Sequence, residues 1–163
     1  MNILRRRPRS LAGPSVLALL FTVTGCSVLD GPATAAVPSP GAAADRLCRD
    51  LREELPERVE GLGRQDPEPS SELTAGWGDP AIILRCGVPK PALLLDPKAE
   101  SVTADGVAWL IEPQKDGSFR FTTVQRRVYV EVTLPKSRTG GGVNPLLDFA
   151  EPVKKTVPEG IPD

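Results

Sequence analysis

Three cysteines and no histidine define the side-chain chemistry open to this 163-residue chain. Without an imidazole there is no Ser-His-Asp or Cys-His nucleophile set and no His-ligated zinc or haem, because each needs that ring to move a proton or bind a metal. Cys48 and Cys86 form an even pair, and in an exported chain such a pair is most simply a disulfide. The competing reading, two free thiols poised for redox work, lacks both a Cys-x-x-Cys spacing and a base. No metal site and no cofactor are expected.

The third cysteine belongs to a different chemistry. Arg5, Arg6, Arg7 and Arg9 precede any acidic residue, and Leu11 to Val23 is almost wholly apolar. This is the basic then apolar order of an export signal, and the run is shorter than the ~20 residues of a spanning helix. It ends Val23-Thr24-Gly25-Cys26, which resembles a bacterial lipobox: an aliphatic residue, two small residues, then cysteine. Residues 1–25 are therefore expected to be a lipoprotein signal peptide, and Cys26 the diacylglyceryl-bearing terminus after cleavage. The plainer alternative is a secretory signal cut near Ala35 or Ala36. Two acyl chains would hold the protein stably at a bilayer. Residues 26–41 are small and proline-punctuated and read as a flexible tether, with a single domain over 42–163.

Loss of residues 1–25 leaves 16 basic against 21 acidic residues, a net charge of −5. An acidic body offers no counterion-release affinity for nucleic acid and no general attraction to anionic lipid. Membrane contact is then expected through the lipid anchor alone.

Side chains that could recognise a partner are Trp77 and Asp79 at a strand entrance, and Arg126, Tyr129 and Glu131 around the last strand. Arginine beside an aromatic on an exposed sheet face can bind a carboxylate, a phosphate or a peptide end. Against this stands the bland alternative that Trp77 and Trp109 fill the core and that Arg126 and Arg127 are solvated or ion-paired. Gly76-Trp77-Gly78 lacks a helix-opening phosphate loop and reads as a turn. Catalysis is not expected. The one route without histidine is a small cell-wall hydrolase using a carboxylate pair, and six aromatics after residue 25 are few for a sugar platform as well as a core.

The elements that would position these residues follow from periodicity. Ala44, Leu47, Cys48, Leu51 and Leu55 recur at helical spacing, which aims Cys48 at the core. Ala81 to Cys86 is β-rich and bounded by Asp79-Pro80 and Gly87. Val107, Trp109 and Ile111 alternate, Lys115 to Ser118 supplies a turn, and Phe119, Phe121 and Thr123 alternate again, so the pair reads as a hairpin. Val128, Val130, Val132 and Leu134 share one face of a further strand. Tyr129, Glu131 and Thr133 then turn outward, and Arg126 is expected on the same exposed edge. Joint replacement of Arg126, Tyr129 and Glu131 should on this reading leave folding nearly intact. Asn144-Pro145 looks like a cap and first turn, followed by a stripe of Leu146, Phe149, Ala150 and Val153 that Pro152 should kink or interrupt. The segments from Glu60 to Asp79 and from Pro89 to Asp105 read as long irregular links. The sum is an α+β fold: an antiparallel sheet of about four strands, with an N-terminal and a C-terminal helix on one face.

Trp77 to Pro89, Asp105 to Trp109 and Tyr129 to Pro135 together resemble the actinobacterial domain of unknown function 3515 family, over roughly residues 42–158. That resemblance implies a short exported protein or lipoprotein of the cell envelope and no known mechanism. The expectation is a lipid-anchored protein on the extracytoplasmic face of the cell membrane, a non-catalytic accessory or binding protein with an envelope protein or cell-wall partner.

Overall fold

The computed structural model describes residues 32–162. Cys26, the expected signal peptide and the first part of the expected tether lie outside the described residues. Helix α1 (Ala42–Glu54) leads into a ribbon of β1 (Arg58–Val59) and β2 (Leu62–Gly63). The main strands are β3 (Thr74–Trp77), β4 (Ile82–Cys86), β5 (Ser101–Ala104), β6 (Val107–Pro113), β7 (Phe119–Thr123) and β8 (Val130–Leu134), and α2 (Asn144–Thr156) closes the order. Short 3₁₀ turns lie at Ala92–Leu95 and Lys136–Gly141.

The main sheet is antiparallel throughout, in the order β3-β4-β8-β7-β6-β5. It has six strands where about four are expected. The difference lies in the two supposed links, each of which holds one further strand of this sheet and borders or contains a hairpin turn. Ser101–Ala104 returns as β6 through Asp105-Gly106, with φ of 42° and 79°, and β1 returns as β2 through Glu60-Gly61, with φ of 47° and 78°. Positive φ at both central residues is the two-residue turn whose twist matches paired strands. The first link also contains β3. Gly76 and Trp77 are therefore strand residues rather than a turn, and only Gly78, at φ 72°, turns. Gly76 is required because the backbone of Gln65 crosses it: a Cβ there would stand 2.5 Å from the Gln65 carbonyl oxygen.

Register places Ala75 and Trp77, Ile82, Leu84 and Cys86, Val130, Val132 and Leu134, Phe121, and Val107 and Trp109 on one face. These side chains join Cys48 and Leu51 of α1 and Leu146, Phe149, Ala150 and Val153 of α2 in one core. Both helices thus cover the same sheet face. Two features fix them there. The Cys48–Cys86 disulfide joins α1 to β4, and the rings of Trp77 and Phe149 pack at 5.1 Å between centroids, joining β3 to α2.

Two details of α2 differ from expectation. It runs through Pro152 to Thr156, and Asn144 does not cap it; the preceding Val143 offers no capping side chain. Proline removes one ladder bond at a cost of about 3 kcal/mol in an open helix. Here Pro152 is buried in line with Phe149 and Val153, so apolar contact on both sides of the break holds one helix. The last strand begins at Val130, two residues later than its apolar alternation, because the Thr123 hydroxyl occupies the Val130 N–H and Gln125 turns at φ 58°.

The expected tether is shorter than its composition implies. The Ala35 N–H donates to the Glu68 carbonyl and the Glu68 N–H to the Ala33 carbonyl, Ala35 is buried, and Pro40 packs against Gly87. Residues 33–40 are docked on the body. Alanine and proline have little side-chain entropy to lose on docking, so the composition that reads as a linker also suits a segment lying on the domain. No helix of the described residues is long and apolar enough to cross a membrane.

Candidate functional site

A cleft of about 1090 Å³ opens at the N-terminal end of α1, with four walls. The first three turns of α1, through Arg46, Leu47 and Asp50, form one wall, and Gly87 to Lys90, following β4, forms the second. Arg127 to Tyr129, leading into β8, form the third, and the chain after α2, from Pro158 to Pro162, forms the fourth. Pockets of about 300–1,000 Å³ are typical of small-ligand sites, so this is a large and open one.

Successive walls are tied, from the first to the fourth. The disulfide joins α1 to the end of β4. The Gly87 N–H donates to the Tyr129 carbonyl at 2.9 Å, and the Arg127 N–H to the Pro158 carbonyl at 2.9 Å. Gly87 sits at φ 85° with Pro40 so close that a Cβ would be 2.6 Å from its Cγ, so both conformation and space exclude a side chain there. A ligand would meet walls already in place, which lowers the cost of ordering them.

Arg46, Lys90 and Arg127 are exposed in this cleft and form no ion pair with any described residue. Tyr129 is half-buried beside them. The acidic lining is Asp50 and Glu159, and Glu159 already faces Arg126 at 3.7 Å. The apolar lining includes Val88 and Ile161, the latter 88% exposed. The arrangement can hold an anion against an apolar rim.

Of the five residues singled out from sequence, only Tyr129 lines the cleft. Trp77 is fully buried: its indole N–H donates to the Pro56 carbonyl at 2.9 Å and Arg64 lies 5.4 Å from its ring centre. Asp79 is exposed at the β3–β4 turn, where its carbonyl accepts from Arg138 at 3.0 Å. Arg126 is not on an exposed edge. It is 5% exposed and donates to the Val157 carbonyl at 3.0 Å, holding the chain that leaves α2. Long arginine stems bury readily when backbone carbonyls take the charged head.

Glu131 does turn away from the helices but is only 5% exposed. Arg85 Nη2 lies 2.8 Å from its carboxylate and Arg120 Nε 3.4 Å, while Arg120 reaches Glu112 at 3.5 Å. Arg85 also donates to the Ala36 carbonyl at 3.2 Å, so the docked N-terminal segment helps to enclose the row. Outside this row, burial raises the Asp66 carboxyl, but hydrogen bonds and charge from Arg64 and Arg52 prevail and hold it below the usual carboxylate range. Arg46 and Lys90 carry no local sequence signal. They meet Arg127 only through the fold.

Among the described residues no group of three His, Cys, Asp or Glu is arranged to hold a metal ion. No curated protein and no solved structure matches the chain. The family model described as protein of unknown function (DUF3515) matches residues 15–161, nearly the whole length, and the chain belongs to that family.

Proposed function

We propose that the protein is a lipid-anchored lipoprotein on the extracytoplasmic face of an actinobacterial cell membrane, and that it works by binding rather than catalysis as an accessory of the envelope. The observation that carries this reading is Val23-Thr24-Gly25-Cys26, directly after a short apolar run and a cluster of arginines. The Cys48–Cys86 disulfide supports an oxidising destination. A binding role is supported by the tied, open cleft and by the absence of histidine from the chain.

The test is Cys26→Ser, followed by fractionation of cells and intact-mass measurement. The anchored protein is expected in the membrane fraction, with the mass of a diacylated chain beginning at Cys26. The variant should appear as uncleaved precursor or leave the membrane fraction. A variant that migrates, fractionates and weighs as the wild type, allowing for the one-atom change, would refute the anchor.

A further inference from the structure

Six arginines elsewhere on the body, Arg49, Arg52, Arg64, Arg85, Arg120 and Arg126, have carboxylates within ion-pair distance. Arg58 and Arg138 donate to backbone carbonyls instead, and Lys98, Lys115 and Lys136 are unpaired among the described residues but do not line the cleft. Arg46, Lys90 and Arg127 have no ion-pair partner among the described residues, although the protein is acidic overall, and they come from three separate segments to line one concavity. A single carboxylate is satisfied by one guanidinium fork, whereas three cations from three walls suit an anion with several acceptor oxygens, which is the chemistry of phosphate. Besides the cations and the two acids Asp50 and Glu159, the lining holds an apolar part that includes Pro89, Pro162 and Ile161, the last 88% exposed. A small inorganic ion would leave that surface unused.

We infer that the cleft binds a phosphate-bearing amphiphile, with its phosphate among Arg46, Lys90 and Arg127 and its apolar portion along the Ile161 rim. Tyr129 offers a hydroxyl to the same anion. The source is a membrane phospholipid headgroup. This choice of source rests on the proposed anchor, since acylation at Cys26 would keep the body at a bilayer that carries such groups, but the chemistry of the cleft does not depend on it. The overall negative charge opposes indiscriminate attachment to anionic membranes, so recognition is confined to one concavity.

The experiment is a titration of the full chain in nonionic detergent with four probes: dihexanoyl phosphatidic acid, dihexanoylglycerol, hexanoate and inorganic phosphate. It is read by calorimetry and by the shift in unfolding midpoint. Phosphatidic acid is expected to bind saturably and raise the midpoint, and each of the other three to bind about tenfold more weakly or less. The triple variant Arg46→Gln, Lys90→Gln, Arg127→Gln should lose phosphatidic acid binding about tenfold or more, while keeping its Cys48–Cys86 linked peptide in nonreducing mapping. Equal binding of dihexanoylglycerol would make the site purely apolar, equal binding of hexanoate would remove the preference for phosphate, and equal binding of inorganic phosphate would make the ligand a free ion. Each of these, or an unchanged and correctly bonded triple variant, overturns the proposal. Because no probe involves Cys26, failure here leaves the anchor standing, and failure of the anchor leaves the cleft chemistry to be judged by this titration.

Discussion

On the outward face of the sheet, Arg85 and Arg120 bracket Glu131 and Arg120 reaches on to Glu112; at the N-terminal end of α1, Arg46, Lys90 and Arg127 line a cleft with no described ion-pair partner. The two regions use the same residue types in opposite ways. In the first, each charge is answered from a neighbouring strand or segment, and the row is partly enclosed. Taking away one member would leave the others desolvated without compensation. In the second, the charges are exposed and the surrounding walls are held by other means: a disulfide, two backbone hydrogen bonds and the packing of Pro40 on Gly87. Charge on the sheet face therefore maintains the fold, and charge in the cleft is free for a ligand.

The comparison can be broken most severely at the covalent tie. Replacing Cys48 and Cys86 together by alanine removes a cross-link spanning 38 residues, and loop-closure entropy puts the loss at about 4 kcal/mol as an upper value. Denaturant unfolding of the double variant measures it. A loss below about 1 kcal/mol would show that packing alone holds the walls.

Next in size is Glu131→Ala, which strands Arg85 and Arg120. The two arginines are partly exposed and can recover some water, so the expected loss is about 2–3 kcal/mol, below the full figure for a broken buried pair. It follows that joint replacement of Arg126, Tyr129 and Glu131, which a surface reading expects to be nearly silent, destabilises by at least as much. A neutral result in equilibrium unfolding would return these residues to the list of surface recognition groups.

A smaller effect separates the regions by pH. The Asp66 carboxyl is depressed in the folded protein, so it stabilises fully above its unfolded value of about 3.9, and that contribution is lost as pH falls through the folded value. As pH falls below the unfolded value of about 3.9, Asp66→Asn should lose less stability than the wild type. Parallel pH profiles would mean that the Arg52 and Arg64 contacts are not sustained in solution.

Smallest is the effect on stability of neutralising the cleft. Arg46→Gln, Lys90→Gln and Arg127→Gln should each change unfolding free energy by no more than about 0.5 kcal/mol. A loss several times larger would place these cations in the structural class with Arg85 and Arg120.

The sequence made the helices, the disulfide and the inner face of the sheet legible because periodicity is a local property. Cys48 shares a helical stripe with Leu51, and Val130, Val132 and Leu134 share a strand face, whatever lies elsewhere. Of the two strands beyond the expected four, β5 carries a signal, since Asp105-Gly106 after the alternating Ser101 to Ala104 is a hairpin pattern; Glu60-Gly61 is a weaker one, for the separate β1–β2 ribbon. Burial on the outward face was not legible. Glu131 is placed outward correctly by alternation, but whether outward means solvent depends on residues 33–36 and 65–68, whose proline-rich composition reads as loop. Arg126 escaped for the same reason, since the carbonyl that it binds, that of Val157, lies 31 residues away. Within the cleft, Tyr129 was within reach of strand reasoning, but its meeting with Arg46 and Lys90 depends on how three distant segments converge.

Site-specific photocrosslinking in intact cells tests the central claim most directly. A photoreactive residue is placed at Ile161 on the rim of the cleft and, in a second protein, at Thr103, exposed on the outward face of the edge strand β5. The account predicts a phosphate-containing lipid adduct from Ile161, lost when Arg46, Lys90 and Arg127 are neutralised, and no such adduct from Thr103. An equal yield from Thr103, or an Ile161 adduct that survives neutralisation, would contradict it.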